Sequence, residues 1–148
     1  LENIEFLVSA NAGQPLRALA KVASGGELSR IGLALQVIAS QANAAGTLIF
    51  DEVDVGVGGR VAEIVGQQLR ALGQSRQVLC ITHLAQVAAL GDQHLSVSKQ
   101  TEAGTTVTGV KPLSGKARVQ ELARMIGGIE ISKQTLAHAE DMLSRASA

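Results

Sequence analysis

Aromatic side chains are almost absent from this sequence of 148 residues, which has two phenylalanines and neither tyrosine nor tryptophan. With so few rings there is no platform on which single-stranded bases could stack, and the core must be aliphatic. Cys80 is the only cysteine, which excludes an intrachain disulfide and favours a reducing compartment. Thirteen basic and thirteen acidic residues cancel, so no overall positive charge draws this chain to nucleic acid.

Long apolar runs and an amino-terminal targeting signal are also missing. No apolar run reaches the roughly 18 residues that a membrane span requires, and the first residues lack the pattern of a signal peptide. We therefore expect a cytoplasmic protein with no membrane partner. The apolar fraction is nonetheless 46%, enough for a packed core in what the length predicts to be one domain.

Apolar residues recur with two different periods, which predicts strands alternating with helices and an α/β fold with a largely parallel sheet. Alternation at Ile4, Phe6 and Val8 predicts a half-buried strand. Two short apolar runs, 47–51 and 78–81, are typical of strands buried on both faces. The predicted helices lie at 27–41, 61–72, a short segment ending at 89, 119–126, and a last segment beginning after Ser132; a hairpin is predicted for 94–98 and 105–110.

A first candidate motif is Ala-Ser-Gly-Gly-Glu-Leu-Ser-Arg at 23–30, where the first long helix is predicted to begin. Ser24 and Glu27 have the spacing of a capping box, so they could simply start the helix. Gly25 and Gly26 would let backbone N–H groups approach a ligand closely, and the amino end of a helix favours negative charge. The segment is thus either an ordinary helix start or a phosphate cradle.

A second candidate motif is Leu-Ile-Phe-Asp-Glu-Val-Asp at 48–54, an apolar run that ends in acidic residues. Open α/β sheets bind ligands at the carboxyl ends of their strands. Asp51 matches the strand-end aspartate with which P-loop enzymes hold Mg²⁺, and Glu52 would then orient and deprotonate a water molecule. The alternative is that Asp51, Glu52 or Asp54 merely caps the turn that follows.

A third candidate is Thr82-His83, directly after the second apolar run. A lone histidine is more often a structural residue, but His83 would lie at the end of a strand, on the edge where ligands bind. His94 and His138 have no such position and are interpreted as structural. Cys80 is most simply a core side chain.

The order and spacing of these three motifs resemble the signature motif, Walker B motif and switch histidine of ABC-type ATPases. The local sequence is similar to that of the RecN family of SMC-like DNA repair ATPases over nearly the whole chain. The resemblance rests on the segments 23–30, 50–59, 82–89, 122–128 and 135–139. It implies that residues 1–148 are the carboxyl-terminal lobe of an ABC/SMC-type P-loop ATPase head, with ATP and Mg²⁺ as cofactors.

The resemblance also implies roles for individual residues. Asp51 would be the Walker B aspartate that holds the metal, Glu52 the catalytic glutamate, and His83 the switch histidine near the γ-phosphate. Residues 55–59 occupy the position of the D-loop, but Val57-Gly58 replaces the Leu-Asp pair of many ABC proteins. The γ-phosphate of a nucleotide held by a second head would be bound by the signature segment: Ser24, Gly25, Gly26 and Glu27.

No Gly-x-x-x-x-Gly-Lys-Ser/Thr loop occurs in the sequence. In proteins of the RecN type this Walker A loop lies in an amino-terminal lobe, separated from the carboxyl-terminal lobe by a coiled coil. We therefore expect the first partner of this chain to be that amino-terminal lobe and the second to be another head in an ATP-sandwiched homodimer. The chain alone is expected to be inactive as an ATPase.

The function implied by the resemblance is ATP hydrolysis in DNA double-strand break repair and recombination. DNA would be contacted through the full-length protein, in the bacterial cytoplasm at the nucleoid. One alternative is an ATP-gated structural clamp that tethers DNA while hydrolysis is incidental. Another is a metal-dependent hydrolase that uses Asp51, Glu52, Asp54 and His83.

Overall fold

The computed structural model describes residues 4–9, 13–19, 31–32, 34–35, 38–39, 45–51, 54, 56–102, 105–128 and 130–146. The residues described between 31 and 39 are helical, as the sequence predicts for that segment. The other elements, in chain order, are β1 (Leu7–Val8), β2 (Arg17–Ala18), β3 (Thr47–Asp51), α1 (Gly59–Gly73), β4 (Gln77–Ile81), α2 (Ala85–Ala89), β5 (His94–Glu102), β6 (Thr105–Leu113), α3 (Gly115–Gly127) and α4 (Lys133–Ala146).

Strands β3 and β4 form a parallel pair, joined by helix α1. Thr47 lies opposite Gln77 at one end of the pair, and Asp51 lies opposite Ile81 at the other. A parallel pair needs such a crossover, since a tight turn can join only antiparallel strands. The βαβ unit predicted from the sequence is confirmed, and the carboxyl ends of both strands meet at one edge.

Two antiparallel pairs accompany this unit. Strands β1 and β2 pair across a turn in which Gly13 has a φ of +85°, a backbone conformation that favours glycine. Strands β5 and β6 form the predicted hairpin, but each has nine residues and extends beyond the predicted ends. Near the tip, the hydroxyls of Thr101 and Thr106 share a hydrogen bond of 3.1 Å, which helps to continue the pairing.

Helices α1 and α2 cover one face of the parallel pair. Phe50 of β3 is buried against apolar side chains of α1, and Leu48, Val78 and Cys80 pack around it. The buried members of this first cluster are Phe50, Ala62, Val65, Leu69, Leu72 and Val87. Because side chains alternate along a strand, this cluster accounts for only one side of β3 and β4.

The opposite face of the parallel pair is uncovered by the part of the chain that the structure describes. Ile49, Leu79 and Ile81 are exposed by 69%, 41% and 59% respectively. The prediction that both strands are buried on both faces is therefore wrong as far as the described residues go. The physical reason is that an apolar run reports which residues avoid water, and says nothing about which chain segment covers them.

Helices α2, α3 and α4 form a second core. Its buried residues are small or aliphatic: Ala85, Ala89, Leu122, Ala123 and Ala139. Helix α2 contributes to both cores, so it lies between the sheet-facing helix α1 and the carboxyl-terminal helices. Arg70 of α1 donates a hydrogen bond to the backbone oxygen of Ala146, which ties α1 to the end of α4.

The helix predicted at 119–126 and the last helix predicted after Ser132 are both confirmed, as α3 and α4. Helix α3 ends at Gly127, and Gly128 follows with a φ of +72°, as glycine commonly does after a helix. Helix α4 begins after Ser132, whose Oγ accepts a hydrogen bond from the Thr135 backbone N–H at 3.1 Å. This is the geometry of an N-cap.

The amino-terminal strand differs from its prediction. Ile4 and Phe6 are 81% and 61% exposed, and the β1–β2 pair adds no described residue to either buried cluster. The expected half-burial is found for Val8 and is wrong for Ile4 and Phe6, because β1 pairs with β2 without packing on these cores. Among the described helices, none combines the length and the apolar content that crossing a membrane would take.

Candidate functional site

The candidate site lies at the edge where β3 and β4 both end. Asp51 is the last residue of β3, and its neighbour in register is Ile81, the last residue of β4. Thr82 and His83 follow directly. Asp51 is exposed and the side chain of His83 is 68% exposed, so both side chains are accessible at this edge. The structure thus places these two predicted site residues together, while their catalytic roles stay predictions.

Asp54 joins the segment after β3 to the segment after β4. Its side chain is only 1% exposed, and its Oδ2 accepts hydrogen bonds from the Thr82 hydroxyl and from the His83 backbone N–H, the latter at 3.1 Å. The same oxygen lies 3.4 Å from His83 Nδ1. A carboxylate removed from water must be matched by such donors, so this contact fixes the two strand ends relative to each other.

Thr82 carries the connection on to α2. Its hydroxyl oxygen accepts a hydrogen bond of 3.0 Å from the backbone N–H of Leu84, the residue that precedes α2. The same hydroxyl donates to Asp54. The residue before α2 is therefore linked to a buried carboxylate through one side chain, and His83 lies inside this linked segment.

The interpretation of Asp54 as a local cap is wrong. The turn that follows it is closed by backbone groups, with the Val57 N–H donating to the Asp54 carbonyl oxygen at 3.2 Å. The side chain of Asp54 instead binds residues 28 and 29 positions further along the chain. Sequence reasoning named Asp54 as a candidate but missed this partnership, because nothing local in the sequence signals a contact across a βαβ unit.

The electrostatic field at this edge is negative. The pKa of the Cys80 thiol rises from 9.0 to about 11, first because it is buried and then because of the negative charges of Asp54 and Asp51. Cys80 packs against the first cluster, so its interpretation as a core side chain is confirmed. Two carboxylates at one edge raise the local affinity for cations and disfavour an unaccompanied phosphate.

The described residues fit a magnesium ion only in part. Asp51 offers an exposed carboxylate, and Mg²⁺ is usually held by one or two carboxylates together with phosphate oxygens and water. Among the described residues, no three histidine, cysteine, aspartate or glutamate side chains group as a metal site. Asp51 therefore fits the role of a single metal ligand. Asp54 fits it poorly because it is buried and hydrogen-bonded.

The predicted signature segment and the predicted catalytic glutamate lie outside the described residues. Of the D-loop segment, residues 56–59 are described, and Gly56 and Gly59 have φ values of +74° and +54°. The undescribed candidates are Ser24, Gly25, Gly26, Glu27 and Glu52.

The other two histidines lie away from this edge on the chain. His94 begins β5 and is half-buried, and its pKa is lowered first by burial and then by the positive charge of Arg118. His138 lies within α4 and is exposed. Neither follows β3 or β4, which agrees with leaving both out of the candidate site.

Comparison with curated proteins shows strong similarity to RecN. DNA repair protein RecN of Vibrio cholerae is 56% identical over 140 residues, covering 95% of this chain and 25% of that protein. RecN of Treponema pallidum is 52% identical over 142 residues, with coverage of 96% and 25%. RecN of Bacillus subtilis is 48% identical over 146 residues, with coverage of 99% and 25%. The chain thus spans about a quarter of the length of these relatives, and no family model matches it.

Comparison with solved structures shows the fold. A chain from work on ATP-driven dimerisation and DNA-stimulated activation of SMC ATPases matches with a TM-score of 0.65 and 22% identity. The match covers 80% of this chain and 71% of that one. The predicted resemblance to RecN and the predicted α/β fold of the SMC ATPase type are both confirmed.

Proposed function

Because nearly all of this chain is similar to RecN proteins, we propose that it is the carboxyl-terminal lobe of an ATPase head acting in DNA repair. ATP is bound and hydrolysed only when this lobe is joined to an amino-terminal lobe with the Walker A loop. The main structural support is the edge at which β3 and β4 end together, where Asp51 and His83 are both accessible.

Asp51, Glu52 and His83 each have a different role in the proposed reaction. Asp51 would hold the metal ion, and Glu52 would orient the attacking water and accept its proton. His83 contacts the γ-phosphate through its exposed imidazole. Mg²⁺, when bound, supplies positive charge that neutralises the phosphoryl oxygens. Two carboxylates at one edge require such a cation before a triphosphate can approach.

The uncovered face of the parallel pair supports a second lobe as partner. Parallel sheets are usually covered on both faces, yet Ile49, Leu79 and Ile81 are exposed in this chain. We assign this face to the amino-terminal lobe of the same protein. The signature segment would then contact the γ-phosphate of a nucleotide held by a second head, which gives an ATP-sandwiched dimer. DNA double-strand break repair and recombination would be carried out by the full-length protein, with DNA as its partner.

Substitution of Glu52 tests the catalytic assignment. In the full-length protein, Glu52→Gln should reduce ATP turnover by ~10²–10⁴-fold, the usual contribution of a general base, while ATP binding is retained because Asp51 is unchanged. Glu63→Gln, on the exposed side of α1, is the matched control and should leave turnover unchanged. Residual hydrolysis within a few-fold of wild type contradicts the assignment. A Glu52→Gln protein that still repairs DNA would favour the structural clamp.

The half-site character of the chain has its own test. The groups that hold the α- and β-phosphates, the Walker A backbone and its lysine, are not in this sequence. The isolated chain should therefore bind Mg-ATP no better than about 1 mM, or roughly −4 kcal/mol. Addition of the amino-terminal lobe in trans should restore binding and hydrolysis. Micromolar binding of Mg-ATP to this chain alone, measured by calorimetry, would refute the half-site interpretation.

A further inference from the structure

The buried carboxylate of Asp54 lies near both the backbone N–H and the imidazole of His83, whereas a contact to the backbone alone would be enough to hold the two strand ends together. We propose that Asp54 is a positioning residue, which sets the backbone and the imidazole of His83 for ATP hydrolysis. The proposal rests on the proposed function, because it gives His83 a role in turnover. It assigns to Asp54 a task different from that of Asp51, three residues earlier.

The first argument is the geometry at a single oxygen atom. Asp54 Oδ2 accepts hydrogen bonds from the Thr82 hydroxyl and from the His83 backbone N–H at 3.1 Å, and it lies 3.4 Å from His83 Nδ1. One of these contacts holds the backbone at His83, one holds the Thr82 side chain beside it, and the third places the Nδ1 side of the ring next to the carboxylate. With Nδ1 turned towards Asp54, the ring's other nitrogen is left for a ligand.

The second argument is the contrast in burial between the two partners. Asp54 is 1% exposed, whereas the side chain of His83 is 68% exposed. The anchoring oxygen is thus shielded from competing water, and the tip of the imidazole is accessible at the edge. A purely structural histidine–carboxylate pair would gain nothing from leaving the ring mostly in solvent.

The third argument is that both ends of the linked segment are anchored. On one side, Thr82 accepts a hydrogen bond from the Leu84 N–H, and α2 follows directly, with residues buried in both cores. On the other side, Asp54 is only two residues after Glu52. Because misplacement by about 1 Å can reduce a rate by ~10²-fold, a shift on either side of Asp54 should alter turnover.

The test uses the full-length protein and a pair of substitutions at Asp54, one apolar and one that keeps the shape of the aspartate. Asp54→Leu removes the acceptor, and we expect kcat for ATP hydrolysis to fall by about 10- to 100-fold with little change in KM. Asp54→Asn keeps an acceptor oxygen for Thr82 and His83, so it should recover most of kcat. Failure of Asp54→Asn to recover kcat, or an unchanged kcat in Asp54→Leu, overturns the proposal.

A double-mutant cycle separates positioning from stability. In a His83→Ala background, Asp54→Leu should lower kcat by less than about 2-fold further, because residues that act through one another are not additive. Losses that multiply overturn the proposal, since Asp54 would then act independently of His83. An unchanged kcat in His83→Ala overturns the proposed role of His83 as well, whereas an effect of His83→Ala without an effect of Asp54→Leu overturns this inference alone.

A second variant keeps the test decisive if Asp54→Leu does not fold. Thr82→Val preserves the shape of the side chain and removes its hydroxyl, so kcat should fall and the loss should again be non-additive with His83→Ala. Thr47→Val is the control: Thr47 Oγ1 donates to Gln77 Oε1 at 3.0 Å across the same two strands, at their opposite end. Equal effects of the Thr82 and Thr47 substitutions on kcat overturn the proposal.

Discussion

The guanidinium group of Arg118 joins α3 to the carboxyl end of α2, and its replacement by methionine should destabilise the fold. Arg118 Nη2 donates to the carbonyl oxygens of Ala88 at 3.3 Å and Ala89 at 3.1 Å, and also to that of Gly91. The last carbonyl groups of a helix have no partner within the helix, and a positive charge at this end is also favoured by the helix dipole. Methionine keeps an apolar stem of similar length and removes the donors.

The expected cost follows from these contacts. Nη2 has only two hydrogens, so its three acceptors share two full hydrogen bonds, each worth about 1.5–3 kcal/mol when the donor is charged. Against this, burial lowers the pKa of Arg118, and its Nε is buried without a hydrogen-bond partner, a cost of about 1–3 kcal/mol. Taking the difference of the central values, Arg118→Met should reduce the free energy of unfolding by about 2–3 kcal/mol.

Urea denaturation followed by circular dichroism measures this loss. Arg124→Met, in the same helix, is the matched control: Arg124 is 59% exposed and pairs with Glu121 at 2.6 Å. An exposed ion pair contributes at most about 1 kcal/mol, so the control should lose less. If Arg124→Met costs as much as Arg118→Met, the capping contacts of Arg118 do not hold α2 in place and the reasoning is wrong.

Three further predictions concern packing, ionisation and the signature segment. A Cβ at Gly66 would lie 3.3 Å from the Val87 Cα, so Gly66→Ala should reduce the free energy of unfolding by about 1–2 kcal/mol, as measured by thermal unfolding. Gly73→Ala is the control and should not destabilise the fold, because a Cβ there would have nothing within 4 Å. Because the pKa of Cys80 is raised from 9.0 to about 11, the folded state retains its thiol proton longer than the unfolded state. Stability should therefore fall as pH rises through this window, and pH-dependent denaturation of Cys80→Ala should lack that component. If Ser24 is only a cap, Ser24→Ala should lower the melting temperature by the equivalent of about 1 kcal/mol and do nothing else. If Ser24 contacts phosphate, the substitution should also impair ATP-driven dimerisation of the full-length protein. Light scattering with and without ATP distinguishes a cap from a phosphate ligand.

Short-range signals in the sequence were sufficient to place several elements. The Ser132 cap is satisfied by a residue three positions away, and Gly128 lies directly after α3, so both depend on neighbours that a local pattern contains. The helix predicted at 61–72 is found as Gly59–Gly73, because its apolar spacing records the face that packs on the sheet. The parallel pairing of β3 and β4 followed from the strand–helix–strand order.

Burial could not be predicted in the same way. Apolar runs at β3 and β4 indicated strands covered on both faces, yet Ile49 and Ile81 are 69% and 59% exposed. The apolar side chains at these positions indicate that they are shielded from water in some assembly, whereas the structure contains this chain alone. The apolar side chains that are exposed here form the contact surface that we assign to the amino-terminal lobe.

The acidic end of the second motif shows where local reasoning stops. The sequence left open whether Asp51 or Asp54 merely caps the turn after β3, but Asp51 is exposed and Asp54 is 1% exposed. The two aspartates differ because the Asp54 side chain accepts hydrogen bonds from the Thr82 hydroxyl and the His83 N–H, which lie 28 and 29 positions further along the chain. Since a buried carboxylate is stable only with such donors, the Asp54 side chain is used in hydrogen bonds that hold the residues after β4. Asp51 is exposed, so it is the carboxylate that a metal ion can reach.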